Sequence, residues 1–500
     1  MTSSASANVR SIQHFKLDRR VWLIALAEVC LLVVTSTRYG YHRDELYFVV
    51  AGGHPAIGYP DQPPLVPLLC WAMNWIAPGS LLMLRAPSAL VAGATTVLAA
   101  LVTREVGGRS DAQIIAALCT AVSGFGLAVA HLVSTTTFDM LSTTALGLLV
   151  IRAVARNQAS AILYAGLVVG VGVLAKPQVG LVALVMTGSL LALGPRAMLR
   201  TRWALGGACV AIALSAPYVI WQAQHGWPQA TVASNIAGSQ EGGRAGFFPF
   251  QLVMVSPVLV AVWVAGLAAP FRMSQWRALR FVPVSYLALA VLYFIGDGHA
   301  YYLASLYPVL LGLGAPVVAQ WCRARRWRVA LLASAIAVSG AFSILIALPV
   351  LPERDLQGSA VIALNSAQGE TVGWPRFIDA VSAGWRSLGR AERGHTAIFT
   401  LNYGEAGAID LLGAAHGLPQ AFSGHNGFSE WGPPPDADRY ALVEGLEAPS
   451  ELTNYFTACR TVAVVENDVG LDNDEQGLPV RVCRTERPWS RMWSGLRHYD

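Results

Sequence analysis

Over its first 350 residues the chain alternates long apolar runs with short polar breaks. The runs fall at roughly 21–37, 84–104, 112–131, 135–152, 159–175, 178–194, 203–221, 250–270, 281–296, 301–320 and 329–348. Most approach the ~20 residues a helix needs to cross the bilayer hydrocarbon, so the pattern predicts eleven spans. The pair flanking Lys176-Pro177 is open to a second reading, one long kinked helix, which would invert everything after it. The basic residues favour the break. With it, 18 of them share one face: Arg10, Lys16, Arg19, Arg20, Arg104, Arg109, Arg152, Arg156, Arg196, Arg200, Arg202, Arg272, Arg277, Arg280, Arg323, Arg325, Arg326 and Arg328. The opposite short loops hold only Arg38, Arg43, Arg85, Lys176 and Arg244. The positive-inside rule then puts the N-terminus in the cytoplasm. The loop 38–83, Lys176, the turn 296–300 and residues 349–500 become extracytoplasmic. The stretch from Leu65 to Pro78, with Trp71 and Trp75, is too short to span and suits a helix lying in the interface. The segment 222–249 is a second sizeable external loop.

After residue 350 the pattern changes. Thr396–Leu401, Thr461–Glu466 and Val480–Cys483 read as strands, and Glu405–His416 as a helix closed by Gly417 and Pro419. The expected architecture is a polytopic α-helical membrane domain, residues 1–348, followed by a small extracytoplasmic α/β domain, residues 349–500, with 351–373 as linker or first elements.

Composition agrees. Hydrophobic residues make up 54% of the chain and charged ones 13%, against about 25% charged in a soluble domain. Residues 1–350 carry a net +13 and residues 351–500 a net −8. The arginines are scattered over loops between spans, a topology pattern that excludes nucleic-acid binding. The first run lacks a small-residue cleavage site and reads as a retained anchor. Of seven cysteines, Cys30, Cys70, Cys119, Cys209 and Cys322 sit in or beside apolar runs and read as buried small hydrophobes. Cys459 and Cys483 lie in the tail, where an oxidising compartment would pair them.

Chemistry concentrates in the first loop. Only ten carboxylates occur in residues 1–350, and Asp44, Glu45 and Asp61 share that loop. Scarce carboxylates gathered at one membrane face point to catalysis or ion coupling. Asp44 and Glu45 read as a general base with a neighbour that orients it or holds a metal; the alternative is a charged, hydrated loop. Asp139 stands near the outer end of the fourth span, facing the same side. Lys176 is one of two lysines against 33 arginines. Its compact ammonium suits a phosphate oxygen; the alternative is a snorkelling end residue. His299 and Tyr302 at a span mouth can donate to a lipid phosphate, or belong with Tyr301 to an aromatic belt. Glu28, midway in the first span, reads as a structural contact between helices. No nucleotide-phosphate loop and no zinc spacing appears.

These residues together resemble the polytopic glycosyltransferases of the GT-C fold: the acidic pair after the first span, Tyr59-Pro60-Asp61-Gln62-Pro63-Pro64-Leu65, Asp139 and the Lys176-Pro177 break. The likeness is to the bacterial branch related to protein O-mannosyltransferases and to the aminoarabinose transferases of lipid A. The tail stretches Glu370–Pro375, Asn402–Gly407, Ser423–Asn426 and Trp431–Pro433 resemble bacterial glycosyltransferase family 39. The resemblance implies a polyprenyl-phosphate-linked sugar as donor, an extracytoplasmic acceptor (protein, lipid or glycan) and a bacterial inner-membrane location. It implies Asp44 as the base acting on the acceptor hydroxyl in an inverting transfer, with Glu45 and Asp61 as its acidic shell. Lys176, His299, Tyr302 and Arg85 fall on the donor-phosphate side, and Asp139, His42, Arg43 and Tyr59 on the substrate side. A divalent metal on Glu45 and Asp61 stays open; the aminoarabinose branch carries Glu where Asp61 stands. The other readings are a lipid-linked-sugar flippase or transporter using the same carboxylates for proton coupling, and a scaffold whose tail is the working part. Nothing in the sequence assigns the tail a catalytic role; Glu405, His425 and Asn426 either contact an acceptor or build tight turns, and the structural reading is favoured.

Overall fold

The computed structural model describes residues 15–237, 243–444 and 454–500. Arg10 of the expected basic face, and residues 238–242 of the second loop, lie outside these. The helices are α1 (Arg19–Thr35), α2 (Arg43–Gly53), α3 (Leu65–Ile76), α4 (Leu81–Glu105), α5 (Ser110–Ala121), α6 (Gly124–His131), α7 (Thr135–Ala155) and α8 (Ala161–Val173). They continue as α9 (Gln178–Leu193), α10 (Arg202–Gln224), α11 (Pro228–Asn235), α12 (Gly243–Val255), α13 (Val260–Arg272), α14 (Phe281–Ile295), α15 (Tyr307–Arg323) and α16 (Arg326–Ala347).

Every expected apolar run contains helix, and side-chain caps start several of them: Asp18 for α1, Ser80 for α4, Ser134 for α7 and Thr201 for α10. Among the described residues five helices are long and apolar enough to cross a membrane: Leu81–Glu105, Thr135–Ala155, Arg202–Gln224, Ala300–Arg323 and Arg326–Ala347. Two bent pairs, α5 with α6 (56°) and α12 with α13 (82°), raise the number to seven. Eleven is not reached by this criterion. Helix α8 has 13 residues, about 20 Å at 1.5 Å per residue, which falls short of the ~30 Å hydrocarbon layer. The break at Lys176-Pro177 is present: α8 ends at Val173 and α9 starts at Gln178, and Pro177 has no N–H to continue the ladder between them. The interfacial stretch is the helix α3, with Trp71 and Trp75 exposed. Cys30 and Cys209 are exposed, contrary to expectation, because they point off the outer faces of α1 and α10; Cys70, Cys119 and Cys322 are buried.

The tail contains α17 (Ala360–Leu364), α18 (Trp374–Ser387), α19 (Arg390–Arg393), β1 (Thr396–Thr400), α20 (Tyr403–Leu412), β2 (Ala421–Ser423), β3 (Tyr440–Glu444), β4 (Phe456–Val464), β5 (Pro479–Thr485) and α21 (Trp489–Leu496). The strands form one sheet in the order β2-β1-β3-β5-β4. Strand β1 runs parallel to β2 and β3, while β5 is antiparallel to β3 and β4. A disulfide joins Cys459 and Cys483. Helix α20 starts two residues before its expected position because Asn402 caps the Gly404 N–H and Glu405 answers on the Asn402 N–H. Strands β2 and β3 and helix α21 were not anticipated. The last buries Trp489, Met492, Trp493 and Leu496, an i, i+3, i+4, i+7 stripe.

The tail shares one apolar core with the first loop. Leu46, Tyr47 and Val49 of α2 and Val66 and Cys70 of α3 pack with Trp374, Phe377 and Ile378 of α18 and Ala406 and Ile409 of α20. Helices α2 and α20 meet closely through two glycines. A Cβ at Gly404 would lie 2.6 Å from the Arg43 Cβ, and one at Gly407 would lie 2.9 Å from the Leu46 carbonyl carbon.

Candidate active site

The site is built where α2 begins. The His42 imidazole accepts the Asp44 N–H through Nδ1 at 3.2 Å, and Glu45 accepts the His42 N–H at 2.9 Å. Glu45 in turn meets Arg85 of α4 with both oxygens, at 2.8 and 2.7 Å. Arg85 also donates to the Ser36 and Gly40 carbonyls, at 2.6 and 2.8 Å, and the Val133 N–H reaches Glu45 at 2.9 Å. Neither side chain is exposed beyond 1%. Burial pushes the Glu45 carboxyl up, but Arg85 and the two backbone donors outweigh it and hold it below the ordinary carboxylate range. With its first turn pinned, α2 turns Asp44 outward with a 37% exposed side chain. There the Tyr403 hydroxyl of α20 donates to its Oδ1 at 2.8 Å.

Asp61 lies nearby. The Tyr47 hydroxyl donates to Asp61 Oδ1 at 2.7 Å and accepts the Gly427 N–H at 3.0 Å. Burial pushes the Asp61 carboxyl up to about 7, and the negative charge of Asp44 adds to the effect. Tyr59 is buried, its hydroxyl donating to the Ala51 carbonyl at 2.8 Å. It shapes the loop that carries Asp61.

A cation faces this acidic group. Lys176 Nζ donates to Thr136 Oγ1 at 2.8 Å and sits 5.3 Å from the ring centroids of both Tyr301 and Tyr302. Asp139 is close enough to act on Lys176 electrostatically and accepts from Thr143 Oγ1 at 2.9 Å. His299 stacks on Tyr301 at 5.2 Å and meets Tyr302 edge-on at 5.5 Å. The Asp44 charge acts electrostatically on Tyr301.

The expected residues thus divide by position. Asp44 and Asp61 form an acidic group, and Lys176, Asp139, His299 and Tyr302 a cationic and aromatic one. Glu45, Arg85 and Tyr59 lie behind them, each with its polar atoms taken by protein. His42 and Arg43 face the tail: His42 Nε2 is 3.1 Å from Glu370 Oε2, and Arg43 pairs with Glu370 at 2.9 Å and Asp474 at 3.1 Å. A metal on Glu45 and Asp61 does not fit, because the oxygens of Glu45 are already occupied by Arg85 and backbone N–H groups. Among the described residues no group of three or more His, Cys, Asp or Glu is placed to hold one. Glu28 accepts from Thr96 at 2.7 Å, the structural contact between helices expected of it. Tyr403, Tyr47, Gly427 and Glu370 were missed as site residues. The stretches holding Tyr403 and Glu370 stood out only as resemblance, with nothing to say what they touch.

A sequence profile described as dolichyl-phosphate-mannose-protein mannosyltransferase matches residues 61–221, from Asp61 through the fourth span and Lys176. The chain is similar to the crystal structure of ArnT from Cupriavidus metallidurans in the apo state, with a TM-score of 0.59 and 13% identity over 93% of this chain and 97% of that one. The chain has the GT-C fold. ArnT bound to undecaprenyl phosphate gives a TM-score of 0.57 at 13% identity, over 93% of this chain and 98% of that one. The arabinofuranosyltransferase AftD from Mycobacteria gives 0.54 at 15% identity, covering 93% of this chain and 40% of that longer one. No curated protein sequence matches. At these identities the likeness concerns the fold alone.

Proposed function

We propose that this protein is an integral membrane glycosyltransferase that moves a sugar from a polyprenyl-phosphate donor to the hydroxyl of an extracytoplasmic acceptor, with inversion. The observation that carries the reading is a partly exposed carboxylate, Asp44, whose charge acts on Tyr301, one of the two rings that with Thr136 cradle the Lys176 ammonium. In the step the acceptor oxygen attacks the anomeric carbon as its O–H proton passes to Asp44. The bond from that carbon to the phosphate oxygen breaks, and the electron pair leaves with the lipid phosphate. A phosphate leaving group needs its charge stabilised more than it needs a proton, and Lys176 is the group for that. His299 and Tyr302 border the same place, Asp139 holds the ammonium, and Asp61 completes the acidic wall. Glu45 and Arg85 are given a positioning role. The undecaprenyl phosphate bound by ArnT and the dolichyl-phosphate-mannose of the profile support a lipid-phosphate donor.

The membrane arrangement belongs to the same proposal. Eleven spans, some short or bent, with the N-terminus in the cytoplasm of a bacterial cell, would put α2, Lys176 and the tail on the outer face. The Cys459–Cys483 disulfide supports that side. The test is transfer of radiolabelled sugar from a panel of polyprenyl-phosphate sugars, with wild type beside Asp44→Asn. Transfer by the wild type alone is expected. Full activity in Asp44→Asn removes the base assignment, and lipid flux without transfer would move the reading to a transporter.

A further inference from the structure

The tail could be a separate module that presents the acceptor. Its contacts with the first loop point elsewhere. Both exposed-side carboxylates are reached from it: Asp44 by the Tyr403 hydroxyl, across 359 residues of chain, and Asp61 by the Gly427 N–H acting through Tyr47. The phenol is held on several sides. Its ring packs 4.9 Å from Tyr47 and 4.7 Å from His425. Its helix is started by the Asn402–Glu405 capping box, and the glycine contact sets the distance between α20 and α2. On the flank, Glu370 anchors His42 and Arg43, the two residues immediately before Asp44.

We infer that the tail completes the active site and that Tyr403 is the positioning residue of Asp44. The inference rests on the glycosyl transfer proposed above. It also says which oxygen reacts. Oδ1 carries the Tyr403 hydrogen bond. Oδ2 is 3.9 Å from His42 Nδ1, a nitrogen already accepting the Asp44 N–H, so the imidazole offers Oδ2 no proton there. Oδ2 is therefore the atom that takes the acceptor proton, while Tyr403 keeps its own proton throughout. The phenol fixes the carboxylate plane so that Oδ2 faces the reaction, an orientation an exposed aspartate on a first helical turn would otherwise lose among its rotamers.

Tyr403→Phe removes the hydroxyl and keeps the ring. The experiment compares purified full-length wild type and Tyr403→Phe in the donor-panel transfer assay, with kcat, donor KM and thermal midpoint measured for each. The expected result is a kcat lowered about 10- to 100-fold, with donor KM within about twofold and an unchanged midpoint. Unchanged kcat, or a loss of activity that only tracks a lowered midpoint, overturns the inference and leaves the proposed reaction standing. Should Tyr403→Phe not fold, Asn402→Ala is read instead. It removes the cap of the helix carrying the phenol and should lower kcat severalfold; an unchanged kcat there overturns the inference equally. A wild type inactive with every donor overturns both.

Discussion

Arg85 grips both carboxylate oxygens of Glu45 at 2.8 and 2.7 Å, in a place where neither side chain meets solvent. The pair ties the start of α2 to α4, and three further hydrogen bonds from Arg85 and Val133 close the cluster. Removing one partner of a buried ion pair strands the other charge, at about 3–5 kcal/mol. Glu45→Gln is therefore expected to lower the thermal midpoint strongly. The fraction that remains folded should keep kcat within a few-fold. A stable variant without activity would put Glu45 in the chemistry instead.

Lys176 makes a different kind of contact. Its partners are the Thr136 hydroxyl and the faces of Tyr301 and Tyr302, with the Asp139 charge acting on it. Lys176→Met should cost some stability, because it leaves the buried Asp139 without its counter-charge, and in the folded protein should lower kcat/KM for the lipid-phosphate donor about 100-fold or more, as the developing charge loses its counter-ion. Lys176→Arg should not restore it, since a planar fork does not fit a cradle shaped for a point charge. Steady-state kinetics on both variants decides this, and full activity in Lys176→Met would remove Lys176 from the phosphate.

How far the sequence reaches is visible at particular residues. Asp44, Asp61, Asp139 and Lys176 were legible because carboxylates and lysines are so scarce before residue 350 that each occurrence stands out. The Lys176-Pro177 break followed from proline lacking an N–H. The division of labour among neighbours was not legible. Asp44 and Glu45 are adjacent in sequence, yet one step along a helix rotates a side chain by about 100°, so one faces the site and the other faces Arg85. Only the pairing of α2 with α4 reveals which is which. Tyr403 was hidden for another reason: its partner lies 359 residues away, and no local periodicity encodes the docking of α20 on α2. The number of spans is the part the helices leave open, because several apolar runs fold as helices of 12–16 residues, short of a full crossing.

The docking itself can be tested at Gly407. A methyl there would fall 2.9 Å from the Leu46 carbonyl carbon and 3.0 Å from the Tyr47 nitrogen, both backbone atoms that cannot swing aside. Gly407→Ala should push α20 off α2 and destabilise the contact by about 1–3 kcal/mol. The expected signature is faster proteolysis of the tail together with lower transfer activity. An intact tail with full activity would show that the contact between α2 and α20 absorbs the methyl and does not set the site.

Acidity should act on the folded state through Asp61. An ordinary aspartate loses its proton near 3.8, whereas burial keeps this one protonated to about 7. Between those values the folded chain holds a proton that the unfolded chain has released, so stability falls as pH rises across the window. The favourable contribution is complete below about pH 4 and gone above about pH 7. Glu405 and Glu475, pushed up by burial to about 7 and about 8, act in the same direction. Asp61→Asn cannot ionise and should remove one share of the slope, leaving a smaller decline from Glu405, Glu475 and Asp410, the last pushed up by burial to about 6. Thermal midpoints of wild type and Asp61→Asn measured from pH 5 to pH 8 should therefore diverge, the wild type losing more on the way up. Parallel curves would mean that Asp61 ionises like an exposed carboxylate. Asp61 would then hold no proton across that range.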